Sequence, residues 1–313
     1  MDNTPETDDR RAAYRDSGDP AVIESTETFL AHRNLLFTVA YELLGSAVDA
    51  EDVLQETWLR WHAVGSDQIV DSRAGLVRIV TRQALNRLRS VQRRGESHVG
   101  PWLPAPLPTA PDAAHDVELA ESMAMALMLV LETLTPTERA VFVLREAFDL
   151  GYDEIAAAVG KAPTAVRQIA HRARRHVAVR RPHRAVSADQ ARQAADSLRH
   201  ALETGEPRVL LDVLAPDVVL VSDGGDGRAA TRPVRGADRV VRFIVGGIGK
   251  SKAAPTYEPV VVNGNAALAV HTDGELDGIM AIGTDGARVT GLYFVRNPAE
   301  PSRIDSENPL TLR

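Results

Sequence analysis

Apolar positions recur with helical spacing through the first third of the chain. In "FLAHRNLLFTVAYELLG", Phe29, Leu30, Leu36, Phe37, Ala40, Leu43 and Leu44 mostly keep one side, and Gly45 supplies a C-terminal stop. "SAVDAEDVLQETWLRWHAV" follows. It sets Ala50, Val53, Leu54, Trp58 and Trp61 on one face and Glu51, Asp52, Gln55, Glu56 and Arg60 on the other. "SRAGLVRIVTRQALNRLRSVQRR" turns Leu76, Ile79, Val80, Leu85 and Leu88 inward and its arginines outward. These periods predict an all-α domain over residues 25–95.

The pattern then breaks at "PWLPAPLPTAP". Its prolines bar a helix interior, yet Trp102 and Leu103 are too apolar for a freely solvated spacer and are expected to bury against something. Residues 96–116 therefore read as a stiff, adhesive linker. A second all-α block is predicted over 117–182. It opens with the Met-rich "LAESMAMALMLVLETL" and continues at Thr135, an N-cap followed by Pro136 and by Glu138, which completes a capping box. A short helix ending at Val159, a turn at Gly160 and a helix opened by Pro163 have helix-turn-helix syntax.

From Ser187 the period changes. Helical patterns in "DQARQAADSLRHALETG" and "PRVLLDVLA" precede the alternating "DVVLVSD". A helix at "ADRVVRFIVGGI" is followed by strands at "YEPVVV", "AALAVHTD", "GIMAIGTD" and "ARVTGLYFVR". Turns are marked by Asn263-Gly264-Asn265, Asp273-Gly274 and Asp285-Gly286. Helices first and a curved antiparallel sheet afterwards predict an α+β domain over 187–298, with a tail at 299–313.

Charge sharpens this picture. The net charge of −7 conceals a segregation: acids crowd into the first residues and into Asp49 to Glu56. Arg73, Arg78, Arg82, Arg87, Arg89, Arg93 and Arg94 occupy one stretch without an acid. Lys161, Arg167, Arg172, Arg174, Arg175, Arg180, Arg181 and Arg184 occupy a second. Two basic blocks on helices of an acidic chain point to a polyanion gripped in two places. In the helix-turn-helix unit, Thr164, Arg167, Gln168, His171, Arg172 and Arg175 share the exposed side of the second helix, where arginine and glutamine can reach guanine and adenine edges. There is no cysteine, hence no disulfide framework or thiolate metal site. Residues 1–24 are acidic and polar; they read as a disordered tail and not as a signal peptide, and no stretch is long and apolar enough to span a bilayer.

With these motifs in place, the chain resembles the extracytoplasmic-function sigma factors of bacteria. "DAEDVLQETWLRWH" is similar to their signature for the β′ clamp of core RNA polymerase. "RAGLVRIVTRQALNRLRSVQRR" is similar to their promoter-melting segment, and Gly151 to Val177 to their upstream-element reader. The remainder resembles the subgroup with a SnoaL-like extension of the NTF2-like fold. Trp102-Leu103-Pro104, Asp223-Gly224-Gly225 and Asn297-Pro298 match its linker and extension motifs. Gly75, Gln83, Ala105 and "DGGDGR" depart from the common family pattern.

The resemblance implies a protein of two helical domains, sigma regions 2 and 4, and an α+β SnoaL-like cone that regulates in cis. Asp49, Glu51, Asp52, Gln55, Glu56 and Arg60 are then polymerase-binding. DNA falls to Arg73, Arg78, Arg82, Asn86, Arg87, Arg89, Arg93 and Arg94 in the first block, and to Lys161, Thr164, Arg167, Gln168, His171, Arg172 and Arg175 in the second. Trp102, Leu103, Pro104, Asp223, Gly224, Gly225, Asn297 and Pro298 are interdomain contacts. The expected partners are core RNA polymerase and promoter DNA, with no membrane, no cofactor and no metal, in a cytoplasmic protein that is monomeric when free.

SnoaL-like domains include small-molecule cyclases, so such a cone implies an apolar cavity that a small molecule could occupy. His271, Asp217, Asp223 and Asp273 are candidate acid–base groups, but no pair has a diagnostic spacing, and no catalytic residue is assigned. "IVGGIGKS" has Ile244 where a phosphate loop needs its first glycine, and reads as a helix stop. "DGGDG" lacks the distal glutamate of a calcium loop and reads as a turn. The alternative is a helix-turn-helix regulator with a ligand-sensing or cyclase-type domain.

Overall fold

The computed structural model describes residues 20–64, 71–94, 103, 106, 131, 133–180, 186–222, 232–248, 254–263 and 265–296. Three helices come first: α1 (Pro20–Leu44), α2 (Ala47–Val64) and α3 (Ser72–Arg94). Helix α1 begins at Pro20, so it takes in the end of the stretch 1–24 expected to be a tail. Proline is pre-organised for a first helical turn, and Trp61 Nε1 donates to the Ser25 carbonyl at 3.1 Å from across the bundle. Gly45, at φ 67°, ends α1 in the left-handed region where a side chain would be strained.

The second helical unit comprises α4 (Pro136–Glu146), α5 (Tyr152–Val159) and α6 (Pro163–Arg180). The capping box expected at Thr135 is present: its hydroxyl accepts from the Glu138 N–H, and the Glu138 carboxylate accepts from the Thr135 N–H. Such a cap contributes about 1 kcal/mol. Gly160 closes α5 at φ 68°, with its N–H on the Ala156 carbonyl at 2.9 Å, and this left-handed turn re-aims the chain into α6. Of the Met-rich stretch only Leu131, Thr133 and Leu134 are among the described residues, and the acidic tail before Pro20 lies outside them.

The two helical units share one core. A single buried cluster runs from Phe29, Leu36 and Tyr41 in α1, through Trp61 and Leu76, to Leu144, Ile155, Val166 and Val177 in the second unit. What the sequence divides by a linker, packing joins.

The third unit carries α7 (Ala188–Thr204), α8 (Pro207–Val213), β1 (Leu214–Ser222), β2 (Val234–Arg235), α9 (Ala237–Ile248), β3 (Thr256–Val262), β4 (Asn265–Thr272), β5 (Glu275–Thr284) and β6 (Val289–Arg296). The strands form one sheet in the order β2-β1-β6-β5-β4-β3. It is mixed, whereas an antiparallel sheet was expected: β6 lies parallel to β1, and the chain passes through β2, α9, β3, β4 and β5 before pairing with it. Strand β2 has only two residues, too few for an alternating pattern to reveal. Helix α9 runs on through Gly246 and Gly247 to Ile248, so the expected stop falls after the glycine pair.

Both faces of this sheet are apolar, as period-two alternation separates them. Leu220, Leu268, Val270, Met280 and Leu292 face α7, α8 and α9. Val221, Ala267, Ala269, Ile279, Ala281, Tyr293 and Val295 make the other face, and Leu103 from the linker is buried among them. An antiparallel sheet commonly leaves one face to water. Here each face is covered.

Candidate nucleic-acid interface

Helix α2 holds its candidate residues by its own amphipathic register. Ala50, Val53, Leu54 and Trp61 are buried, which leaves Asp52, Gln55, Glu56 and Arg60 exposed. The acids are not equally available. Arg33 forks onto both oxygens of Glu51 at 2.8 Å, and Arg87 reaches Asp49 at 2.5 Å and Asp52 at 3.4 Å. The hydrogen bonds that Arg87 donates to Asp49 hold its guanidinium above its usual range. Two apolar residues join this face that sequence reasoning passed over: Val48 is 51% exposed and Leu59 is 61% exposed. The signal was present, since Val48, Asp52, Gln55 and Leu59 recur at helical spacing on one stripe.

Helix α3 presents Arg78, Arg82, Asn86 and Arg89 on an exposed stripe, with Arg73 and Arg87 partly buried. Its cations are turned inward to differing degrees. Arg87 is taken up by the α2 acids, and Arg82 donates to the Ala157 carbonyl of α5 at 3.1 Å. The Arg93 and Arg94 side chains lie outside the described residues.

Helix α6 contrasts with it. Val166, Ile169, Ala170 and Ala173 face the core, so Thr164, Arg167, Gln168, His171, Arg172 and Arg175 line one exposed side, with Lys161 exposed in the turn before it. Tyr152 steadies the unit: the Arg167 and Arg145 guanidinium carbons lie 5.7 and 5.2 Å from its ring centroid. Arg174 pairs with Glu146 at 2.8 Å, which fastens α6 to α4. Arg172 stands 3.6 Å from Glu138 with 68% of its side chain still exposed.

Contacts between units converge on the end of α1. Arg139, 2% exposed, inserts from α4 and donates to the Glu42 carbonyl at 3.1 Å through Nη2. One residue earlier, the buried Tyr41 hydroxyl donates to Asn263 Oδ1 at 3.3 Å, in the turn between β3 and β4. Burial pushes the Tyr41 hydroxyl above its usual range. Asn263 adopts φ 51°, which asparagine tolerates better than most residues. Leu103 adds the linker to this assembly at 6% exposure. Trp102, Pro104, Asp223, Gly224, Gly225, Asn297 and Pro298 lie outside the described residues.

The acid–base candidates are not brought together. Asp217 lies in β1 near the β5–β6 hairpin, whereas His271 and Asp273 lie at the opposite end of the sheet, around the β4–β5 turn. Asp223 lies outside the described residues. Among the described residues no cluster of His, Cys, Asp and Glu could hold a metal ion, and no helix is long and apolar enough to cross a membrane. A cavity of about 380 Å³ opens at the end of the sheet beside α9, but arginines line much of it, where an apolar interior was expected.

Comparison with known proteins agrees with this arrangement. The family description Sigma-70 region 2 matches residues 28–94, and Sigma-70 region 4 matches residues 124–177. The chain is 38% identical over 284 residues to the ECF RNA polymerase sigma factor SigJ of Mycobacterium tuberculosis, covering 86% of this chain and 91% of that one. It is 31% identical over 278 residues to a probable ECF RNA polymerase sigma factor, SigI, of the same species, covering 88% of this chain and 93% of that one. The crystal structure of Mycobacterium tuberculosis SigJ superimposes with a TM-score of 0.71 at 33% sequence identity, covering 91% of this chain and all of that one. An ordinary helix-turn-helix regulator has no call for region 2, and that alternative is not favoured. The chain belongs to the extracytoplasmic-function RNA polymerase sigma factors with a C-terminal extension, which direct core polymerase to promoters for transcription initiation.

Proposed function

We propose that α2, α3 and α6 divide the work of initiation among themselves, and that the linker and the C-terminal extension regulate that work in cis. On α2, Asp49, Glu51, Asp52, Gln55, Glu56 and Arg60 form the polymerase-binding face. The arginines of α3 hold the opened strand, where charge and stacking outweigh groove readout. Thr164, Arg167, Gln168, His171 and Arg172 on α6 read duplex in the major groove. The chain works in the cytoplasm, where core polymerase and the chromosome are, and it has no catalytic activity of its own; the separation of His271 and Asp273 from Asp217 supports that.

The observation that carries the regulatory reading is Leu103, buried on the sheet face opposite α7, α8 and α9. Burying one leucine contributes about 2 kcal/mol. That is enough to bias a closed state and small enough for polymerase to compete away. While α3 packs against α5 through Arg82, the melting helix stays fastened to the helix-turn-helix unit that carries α6, and the two cannot reach separate promoter elements.

The test is Leu103→Asp in the full chain, with transcription from a promoter template by reconstituted polymerase and hydrogen exchange across β4 and β5. Initiation rises several-fold and protection of the exposed sheet face falls. Wild-type values for both measurements overturn cis regulation through the linker.

A further inference from the structure

The cavity beside α9 has a chemistry that promoter recognition does not use. Arg235, Arg239, Arg242 and Arg288 line it, against the single carboxylate of Asp238. The four come from three places in the chain. Arg235 ends β2. Gly236 then turns the backbone at φ 90° with its N–H on the Val218 carbonyl at 2.8 Å, which aims the start of α9 at the cavity. Arg288 arrives from the β5–β6 hairpin, beside the Leu214–Val289 pair.

Among the described residues none of the four forms an ion pair. Arg242 Nε is occupied by the Asp238 carbonyl at 3.2 Å. The acid nearest to Arg288 in sequence is Asp285, whose carboxylate accepts from the Ala287 and Arg288 backbone N–H groups at 2.9 and 2.8 Å. Arg239 and Arg242 stand three residues apart in the first turns of α9, with Arg235 just before them. Neighbouring like charges repel, and cations are disfavoured at the positive end of a helix dipole. The chain thus concentrates positive charge where the backbone already supplies it, in a concavity. An anion would relieve both repulsions at once.

The floor is different. Leu211, Leu214 and Pro216 offer an apolar surface under the arginines. At about 380 Å³ the space is of small-molecule size. A duplex backbone presents a convex row of phosphates and has no use for an apolar floor. We propose that this cavity binds a phosphorylated small molecule of nucleotide size, with its phosphates on Arg235, Arg239 and Arg288 and its less polar part on Leu211, Leu214 and Pro216. It would give the extension a ligand-responsive site on the helix-covered side of the sheet, opposite the face that holds Leu103, and does not depend on the docking of Leu103.

Metal-free ATP serves as the probe, by calorimetric titration of the full-length protein beside inorganic phosphate and adenosine, with a short duplex DNA as a separate titrant. ATP saturates a single site, at least tenfold tighter than either phosphate or adenosine. Arg239→Ala with Arg288→Ala weakens ATP at least tenfold while the melting temperature without ligand is unchanged or raised. Arg239→Lys with Arg288→Lys, which keeps charge and fold, retains part of the affinity. No saturable ATP binding, or equal affinity in the alanine pair, overturns the site. So does an alanine pair that weakens only duplex DNA, because the arginines would then be a nucleic-acid surface.

Discussion

Helices α3 and α6 both carry a row of arginines, and the protein treats them in opposite ways. On α3, Arg87 is bound to Asp49 and Asp52, and Arg82 is bound to the Ala157 carbonyl of α5. On α6, Arg167, Arg172 and Arg175 stand exposed on one side. The same residue type at the same helical spacing thus serves cohesion in one helix and is left open to solvent in the other. The difference lies in what each helix packs against. Helix α3 lies between the acid-bearing α2 and the end of α5, whereas on the outer side of α6 Arg172 stays 68% exposed beside Glu138 and Arg167 stays exposed over the Tyr152 ring. A basic block is available to DNA only when its neighbours leave it so.

The contrast can be broken by separating the units. Arg139→Ala removes a buried guanidinium and leaves the Glu42 carbonyl without that donor, at a cost of about 2–4 kcal/mol. Urea unfolding measures it; an unchanged midpoint would mean that the association of the first helical unit with the second rests elsewhere. The released α3 should then bind a fork-junction DNA more tightly than wild type does.

Reversing charge at Asp52 and Glu56 to lysine tests the neighbour that holds α3. Loss of core-polymerase affinity by about 2–3 kcal/mol is expected, with far-UV circular dichroism unchanged. Co-purification with core polymerase at wild-type affinity would remove the α2 face from the interface. The new cation at position 52 would also face Arg87, now 3.4 Å from the carboxylate, and so loosen α3.

A third experiment sharpens the comparison directly. Arg167→Ala and Arg172→Ala should each cost about 1–3 kcal/mol in promoter-duplex binding and relax preference at one base position. Arg78→Ala on α3 should change duplex binding by the free protein by less than about 0.5 kcal/mol. Equal losses from both helices would show α3 to be as open as α6. A modest effect on stability belongs to Arg82→Ala: about 0.5–1.5 kcal/mol, with faster amide exchange at the end of α5. Unchanged exchange there would dismiss the α3–α5 contact as a latch.

Much of this was legible in local pattern. The Thr135 capping box, the Gly45 and Gly160 stops and the exposed stripe of α6 depend on residues within a few positions of one another, where sequence and geometry are tightly linked. The α2 face was legible for the same reason, although Val48 and Leu59 escaped notice because a search for charge passes over exposed apolar groups. The parallel pairing of β1 with β6 and the arginine cavity were not legible. Each joins residues far apart in the chain, and no local period encodes which distant strand becomes a neighbour.

The helices, their caps, every strand but β2 and the segregated charge were readable in the chain's own pattern, and the motifs they carry resemble those of the sigma factors. Packing alone settled that the two helical units share one core, which sheet face buries Leu103, and that Tyr41 meets Asn263. Helical and strand periods arise from backbone geometry, which each short segment carries with it. Domain closure depends on which apolar faces find each other across the linker, and apolar attraction is non-directional, so a face shows that it must be covered without naming its cover.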